Sequence, residues 1–290
     1  MYATIQEVKA AINFPSDGAP LEDSVIKGFI LDAEEEIEQL YKTKFGSIEQ
    51  TGTADGDLTT STFSDSSKGW DVDIYIGYIV WIYGGTGEGQ YREISANTET
   101  KLTVSPAFTT APDITSTYRI LKLGYKDETV DGNGKSEMFV NYQPLINLNS
   151  LSINSVDVTT SNVYQYDYGK LSLSSSAEAG TFLDSYQQLI NLKYIFGVYP
   201  LPRIIRRLCI VLAGIRTLTA QIAGTYDDFT SVSLPGGFTG AKGEPYMNIK
   251  ASLDYLQGEA RGIVYGTQST GQVSADFRTG ATYAPFTLFG

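Results

Sequence analysis

The sequence predicts an α+β fold. In this reading helices from the two ends of the chain pack together as a core, an antiparallel β-barrel or sandwich module and β-hairpins are inserted between them, and an extended C-terminal arm follows. Three observations predict it. Apolar residues recur at helical spacing near both ends, within residues 21–41 and 204–222. Between them the texture changes to short alternating runs set apart by Gly, Asn, Asp and Ser turns. After residue 264 neither period persists, yet large apolar side chains continue to occur.

The first helix is announced by Thr4-Ile5-Gln6-Glu7, a capping box in which the Thr hydroxyl and the Glu carboxylate each satisfy an amide of the first turn. Val8, Ala11 and Ile12 form its apolar face, and the stretch NFPSDGAP breaks it. Pro20 then opens a longer helix, at a position where its missing amide costs nothing. Val25, Ile26, Phe29, Ile30, Ala33, Ile37 and Leu40 supply the stripe, and Gly46 is the stop. Glu34, Glu35, Glu36 and Glu38 lie largely off that stripe, as a solvated face or as an acidic patch for a partner.

The strand-like runs DIYIGYIVWIY, QYREIS, KLTVS and STYRILKLG make a first β region, and SEMFVNY, LSINSVDV, YQYDYGKLSLS and QLINLKYIFG a second. Turns fall at Asp131-Gly132, Asn154-Ser155 and Gly169, and SSAEAGTFLDS reads as a loop insertion. Pro202 then begins a helix apolar nearly all round, as a central helix should be, with Cys209 as packing. A long loop leads to a last helix near residues 246–264. The expected divisions are 1–47 and 200–264 for the helical parts, 48–123 for the β module, 124–199 for the hairpins and 265–290 for the arm.

Composition narrows the function classes. The chain of 290 residues has 42% hydrophobic and 19% charged residues, enough to bury a core. Its 20 tyrosines suit half-buried strand faces and contact surfaces. A formal charge of -12 repels nucleic acid phosphates at long range, which disfavours conventional DNA or RNA binding. With no His, every His-dependent triad, zinc site or acid–base pair is excluded. The single Cys209 excludes an intrachain disulfide. The N-terminus has no signal-peptide pattern, and Arg206, Arg207 and Arg216 interrupt the most apolar window, so a soluble chain with no membrane contact is expected.

No motif points to catalysis. The stretch YGGTGEGQYREI has the glycines of a phosphate loop but no following helix or Lys-Ser/Thr, so it reads as a glycine-rich hairpin. Asp55, Asp57, Asp65, Asp71 and Asp73 lack the spacing and closing Glu of a calcium loop and read as polar turns. Any two acids could meet as glycosidase carboxylates do, and nothing singles out a pair. The expectation is therefore a non-enzyme without cofactor or metal.

Two features read as interfaces. Arg203, Arg206 and Arg207 occupy the first turns of the central helix, where the dipole disfavours cations. They call for an anionic neighbour, either an acid of the same chain or the acidic face of another subunit. Phe277, Tyr283, Phe286, Leu288 and Phe289 stud a Gly/Thr/Ser-rich terminus. Such a terminus either packs on its own domain or is an arm that orders on a neighbour.

The N-terminal residues Glu7-Val8-Lys9 and Ala33-Glu34-Glu35-Glu36-Ile37, with LSINSVDV and LKYIFGVYPLPRIIRRLCIVLAG carrying Tyr194, Gly197 and Pro202, resemble head–tail connector (adaptor) proteins of tailed bacteriophages. Residues 51–121 resemble a β module of phage structural proteins. That likeness rests on Thr51-Gly52-Thr53-Ala54, Trp70, GYIVWIYGGTGEGQYREI, Asn97-Thr98, KLTVSPAFTTAPD and STYRI. Residues 174–186, 224–244 and the arm have no counterpart. The resemblance implies a virion neck protein made in the host cytoplasm. It implies a closed, dodecameric homo-oligomeric ring under the portal, continuing the DNA channel, with packaged DNA passing through without specific binding. It also implies contact with the portal protein through the arm and with the next neck or tail-completion protein. The other reading from the residues is a virion receptor- or carbohydrate-binding β protein.

Overall fold

The computed structural model describes residues 1–12, 21–182, 188–225 and 244–265. The chain divides into two compact units, one formed by Met1–Leu40 with Pro202–Gly290 and the other by Tyr41–Leu201.

In the first unit α1 (Ile5–Ala11) starts at the predicted capping box: Thr4 Oγ1 accepts from the Glu7 amide at 3.2 Å, and Glu7 Oε2 accepts from the Thr4 amide at 2.9 Å. Helix α2 (Asp23–Tyr41) buries Ile26, Ile30, Ala33 and Ile37 along one stripe. The glutamates beside that stripe do not form a solvated face. Glu34 is buried and accepts from the Tyr2 amide, Glu38 accepts from the Tyr2 hydroxyl at 2.6 Å, and Glu36 pairs with Arg216 at 2.6 Å. Only Glu35 of the four is exposed. Helix α3 (Arg203–Thr225) buries Ile205, Leu208, Cys209 and Val211, and Leu256 of α4 (Glu244–Tyr265) completes a small core with Ile12, Val211 and Leu218. No described helix is long and apolar enough to cross a membrane.

The second unit opens with a curled six-stranded antiparallel sheet. Its strands are β1 (Ile48–Thr53), β2 (Thr62–Ser64), β3 (Ile79–Gly84), β4 (Tyr91–Asn97), β5 (Lys101–Ser105) and β6 (Thr117–Leu121), in the order β1-β6-β3-β4-β5-β2. Bulges at Ile48/Gln50, Ile82/Gly84 and Ile94/Ala96 let it bend. Its concave side holds Phe63, Trp70, Val80, Ile82, Ile94, Leu102, Val104 and Tyr118. The run DIYIGYIVWIY is a strand only from Ile79 onward. Residues 71–77 are turns because Asn97 intervenes: its Oδ1 accepts from the Tyr75 amide, and its Nδ2 donates to the Asp71 carbonyl.

Two further sheets follow. Strands β7 (Gly124–Val130), β8 (Glu137–Phe139), β9 (Leu145–Ile153), β10 (Val156–Val158), β11 (Val163–Gln165), β12 (Lys170–Leu173) and β13 (Ile190–Phe196) are arranged as β10-β9-β13-β7 and β11-β12-β8. Asn154 and Ser155 both have positive φ, 52° and 64°, which is the two-residue hairpin turn that matches strand twist. The stretch expected to be a loop insertion carries Phe182, which is fully buried under these sheets.

These facts overturn the predicted fold class. The described chain is mostly β, with thirteen strands in three sheets and only four helices. It is not a helical core with an inserted module. The cores give the physical reason: among the described residues the sheets enclose two cores of their own, one around Phe182, Leu192 and Tyr194 and one around Phe63, Val80 and Tyr118, rather than decorating a helical one. Long helical stripes dominate a one-dimensional pattern, whereas short strands reveal their burial only once paired.

Candidate interaction surfaces

The glycine stretch is the tip of the β3–β4 hairpin, with Gly85, Gly87 and Gly89 at φ of 80°, 83° and 86°. At Gly85 the positive φ coincides with close packing, since a Cβ there would collide with the Thr115 carbonyl oxygen. The tip is tied to the β5–β6 connection. Thr86 Oγ1 donates to Asp113 Oδ2 at 2.6 Å, Ser116 Oγ donates to the Thr86 carbonyl at 2.6 Å, and Gln90 Oε1 accepts from the Thr109 and Thr110 amides. Hydrogen bonds from Thr115, then Thr86, hold the Asp113 carboxyl below the usual aspartate range. The loop's polar groups are spent on the loop itself, and nothing in this geometry cradles an anion.

The aspartates expected in turns have defined work. Asp55 accepts from the Ser66 amide, Asp57 pairs with Lys101 at 3.2 Å, and Asp73 accepts from the Asn97 amide. Asp65 is buried and accepts from the Tyr118 hydroxyl at 2.8 Å and from Ser67. Burial by itself would raise its pKa; the hydrogen bonds from Ser67 and Tyr118, with Lys68 nearby, outweigh that and lower it. Tyr118 is pushed up by burial and by the Asp65 carboxylate. Among the described residues no three acidic or thiol side chains gather as a cation would require.

The arginine cluster separates into different roles. Arg207 makes a two-pronged pair with Glu259 of α4, at 2.5 and 2.7 Å, and this pairing raises its pKa. Arg206 pairs with Glu7 at 2.7 Å. Arg203 is exposed and meets no acid among the described residues. Sequence spacing could not name Glu7 or Glu259, because only the helix packing brings them to α3. Phe277, Tyr283, Phe286, Leu288 and Phe289 lie outside the described residues.

Two surfaces were not legible in the sequence. One is the outer face of the β11-β12-β8 sheet, where Phe139, Tyr164, Tyr166 and Tyr168 are 58%, 61%, 38% and 45% exposed. Phe139 meets Tyr168 at 6.2 Å between ring centroids and Tyr166 meets Tyr168 at 5.4 Å, while Lys170 lies over the Tyr166 ring. A Lys170–Glu137 pair at 2.7 Å borders the rings. Alternation along YQYDY places these rings outward, but the sequence could not show that nothing would cover them. The other surface is a groove of about 350 Å³ between α2, α3 and α4, lined by Ile37, Leu212, Ile215, Ala260 and Val264. No protein-family model matches the chain, and no curated protein matches it.

Proposed function

We propose that the chain is a structural virion protein, a head-to-tail adaptor whose copies close into a dodecameric ring beneath the portal and continue the DNA channel. The observation that carries the reading is the exposed aromatic face of Phe139, Tyr164, Tyr166 and Tyr168 on a chain of net charge -12. Clustered tyrosines are protein-contact chemistry, and an acidic wall lets DNA pass without gripping it. The sequence likeness at Glu7-Val8-Lys9, Ala33–Ile37 and Tyr194–Pro202 supplies the family. Catalysis, cofactor and metal have no part in the proposal. Portal contact is assigned to the arm and ring contact to Arg203, the cation of its cluster without an acid among the described residues.

Negative-stain imaging of the purified chain with the portal protein of the same virus tests the reading. Rings stacked on the portal are expected. A chain that stays monomeric and ignores the portal at high concentration overturns it. Arg203→Glu is expected to weaken ring closure while Arg206→Ala, which removes only a pair within the chain, leaves it largely intact.

A second reading, a receptor- or carbohydrate-binding β protein of the virion, is favoured by one observation: the described chain is mostly β and presents open aromatic rings on which a sugar face could stack. Binding on a glycan array that is lost in Tyr164→Ala with Tyr168→Ala selects this reading over the ring.

A further inference from the structure

We propose that in the free protein the groove between α2, α3 and α4 is filled by the chain's own C-terminal segment, residues 274–290. The proposal rests on no part of the ring reading. The groove is apolar, and its volume of about 350 Å³ sits at the small end of the range for ligand pockets. That volume suits a few side chains of an extended segment better than a whole helix. Its lining includes Val264 and Tyr265, so the chain leaves α4 at the groove's own rim.

The sequence beyond that rim has two halves. Residues 266–276 are small or polar apart from Val273, and Phe277, Tyr283, Phe286, Leu288 and Phe289 follow. Eleven residues can span at most about 36–40 Å. Neighbouring helix axes are about 8–10 Å apart, so the spacer can bring the aromatic half back across two helices.

The polar chemistry of the groove fits a peptide. Arg216 pairs through Nη2 with Glu36 at 2.6 Å, while its Nη1 is buried without a hydrogen-bond partner among the described residues. A buried donor left in that state is costly. Pro285 removes one amide that the apolar walls could not satisfy. Tethering decides between this chain's segment and that of a second copy. Covalent attachment through a short linker holds a segment at a millimolar effective concentration, well above that of a second molecule in dilute solution.

The test uses the full chain, a chain ending at Tyr265, and a fluorescein-labelled synthetic peptide of residues 274–290. Fluorescence anisotropy is expected to show saturable binding to the shortened chain and binding to the full chain weaker by about tenfold or more, because the tethered segment competes. Val264→Glu in the shortened chain is expected to weaken peptide binding. If the shortened chain does not fold, as judged by circular dichroism, the full chain carrying Phe286→Ser, Leu288→Ser and Phe289→Ser takes its place and should gain peptide binding.

No binding to either vacated form overturns the proposal, as does equal binding to vacated and full chains. A full chain that sediments as a dimer and becomes monomeric on shortening assigns the groove to a second copy's segment and also overturns it. Rings on the portal without peptide uptake would sink this proposal and leave the ring reading standing; peptide uptake without rings would do the reverse.

Discussion

Tyr118→Phe probes what holds the curled sheet closed. The Tyr118 hydroxyl donates to Asp65 Oδ2 at 2.8 Å, from β6 across to the segment after β2, and both residues are buried. The contact is tight enough to require glycine on the neighbouring strand, because a Cβ at Gly52 would collide with both oxygens. Hydrogen bonds to a charged group contribute about 1.5–3 kcal/mol. Lys68 lies 3.8 Å from the same carboxylate oxygen and Ser67 serves the other, so part of the charge stays solvated after the substitution. The expected loss is therefore about 2 kcal/mol, in the middle of that range.

Urea unfolding followed by tryptophan fluorescence reads this loss, since Trp70 is buried with its ring 6.4 Å from that of Tyr118. A cycle with Asp65→Asn should return a coupling of about 1 kcal/mol or more, as partners in direct contact do. The pH dependence has a fixed sign. The folded Asp65 carboxyl titrates below its ordinary value of 3.8, so its contribution is fully present above that value and is lost as pH falls through the lower folded one. The wild-type chain should thus lose stability more steeply than Tyr118→Phe below that value. A Tyr118→Phe chain within about 0.5 kcal/mol of wild type, the ordinary scatter of neutral surface changes, and with the same acid profile would refute the reasoning.

Gly85→Ala should destabilise the hairpin by more than about 2 kcal/mol, because a collision with the Thr115 carbonyl is added to the cost of positive φ. Gly89→Ala, with open space around the new methyl, should cost about 1 kcal/mol, the φ term alone; equal losses in thermal melts would contradict this. Arg207→Ala and Glu259→Ala should each cost no more than about 1 kcal/mol, because the pair is partly exposed, and their coupling should shrink in high salt. Tyr164→Ala with Tyr168→Ala should leave the melting temperature nearly unchanged, since both side chains are exposed, while abolishing whatever contact the aromatic face makes; a large drop in stability would show that the face is structural.

What the sequence determined by itself was local. Thr4 to Glu7 fixed a helix start, because both hydrogen bonds of a capping box lie within one turn. The glycines after Tyr83 and Asn154 before Ser155 marked two hairpins, because glycine, and asparagine after it, reach positive φ most readily. The stripe from Ile26 to Ile37 fixed a helix by its period. Tertiary structure decided the balance between helix and sheet and the partners of Glu34 and Arg207. Glu34 reads as a surface residue until Tyr2, 32 positions away, arrives over it. Arg207 reads as an interface cation until α4 brings Glu259, 52 positions away. The groove belongs to three helices at once, and no window of sequence contains all of its walls. Burial and pairing are set by residues distant along the chain. A pattern of neighbours can therefore state where a strand or helix begins, but not what it will lie against.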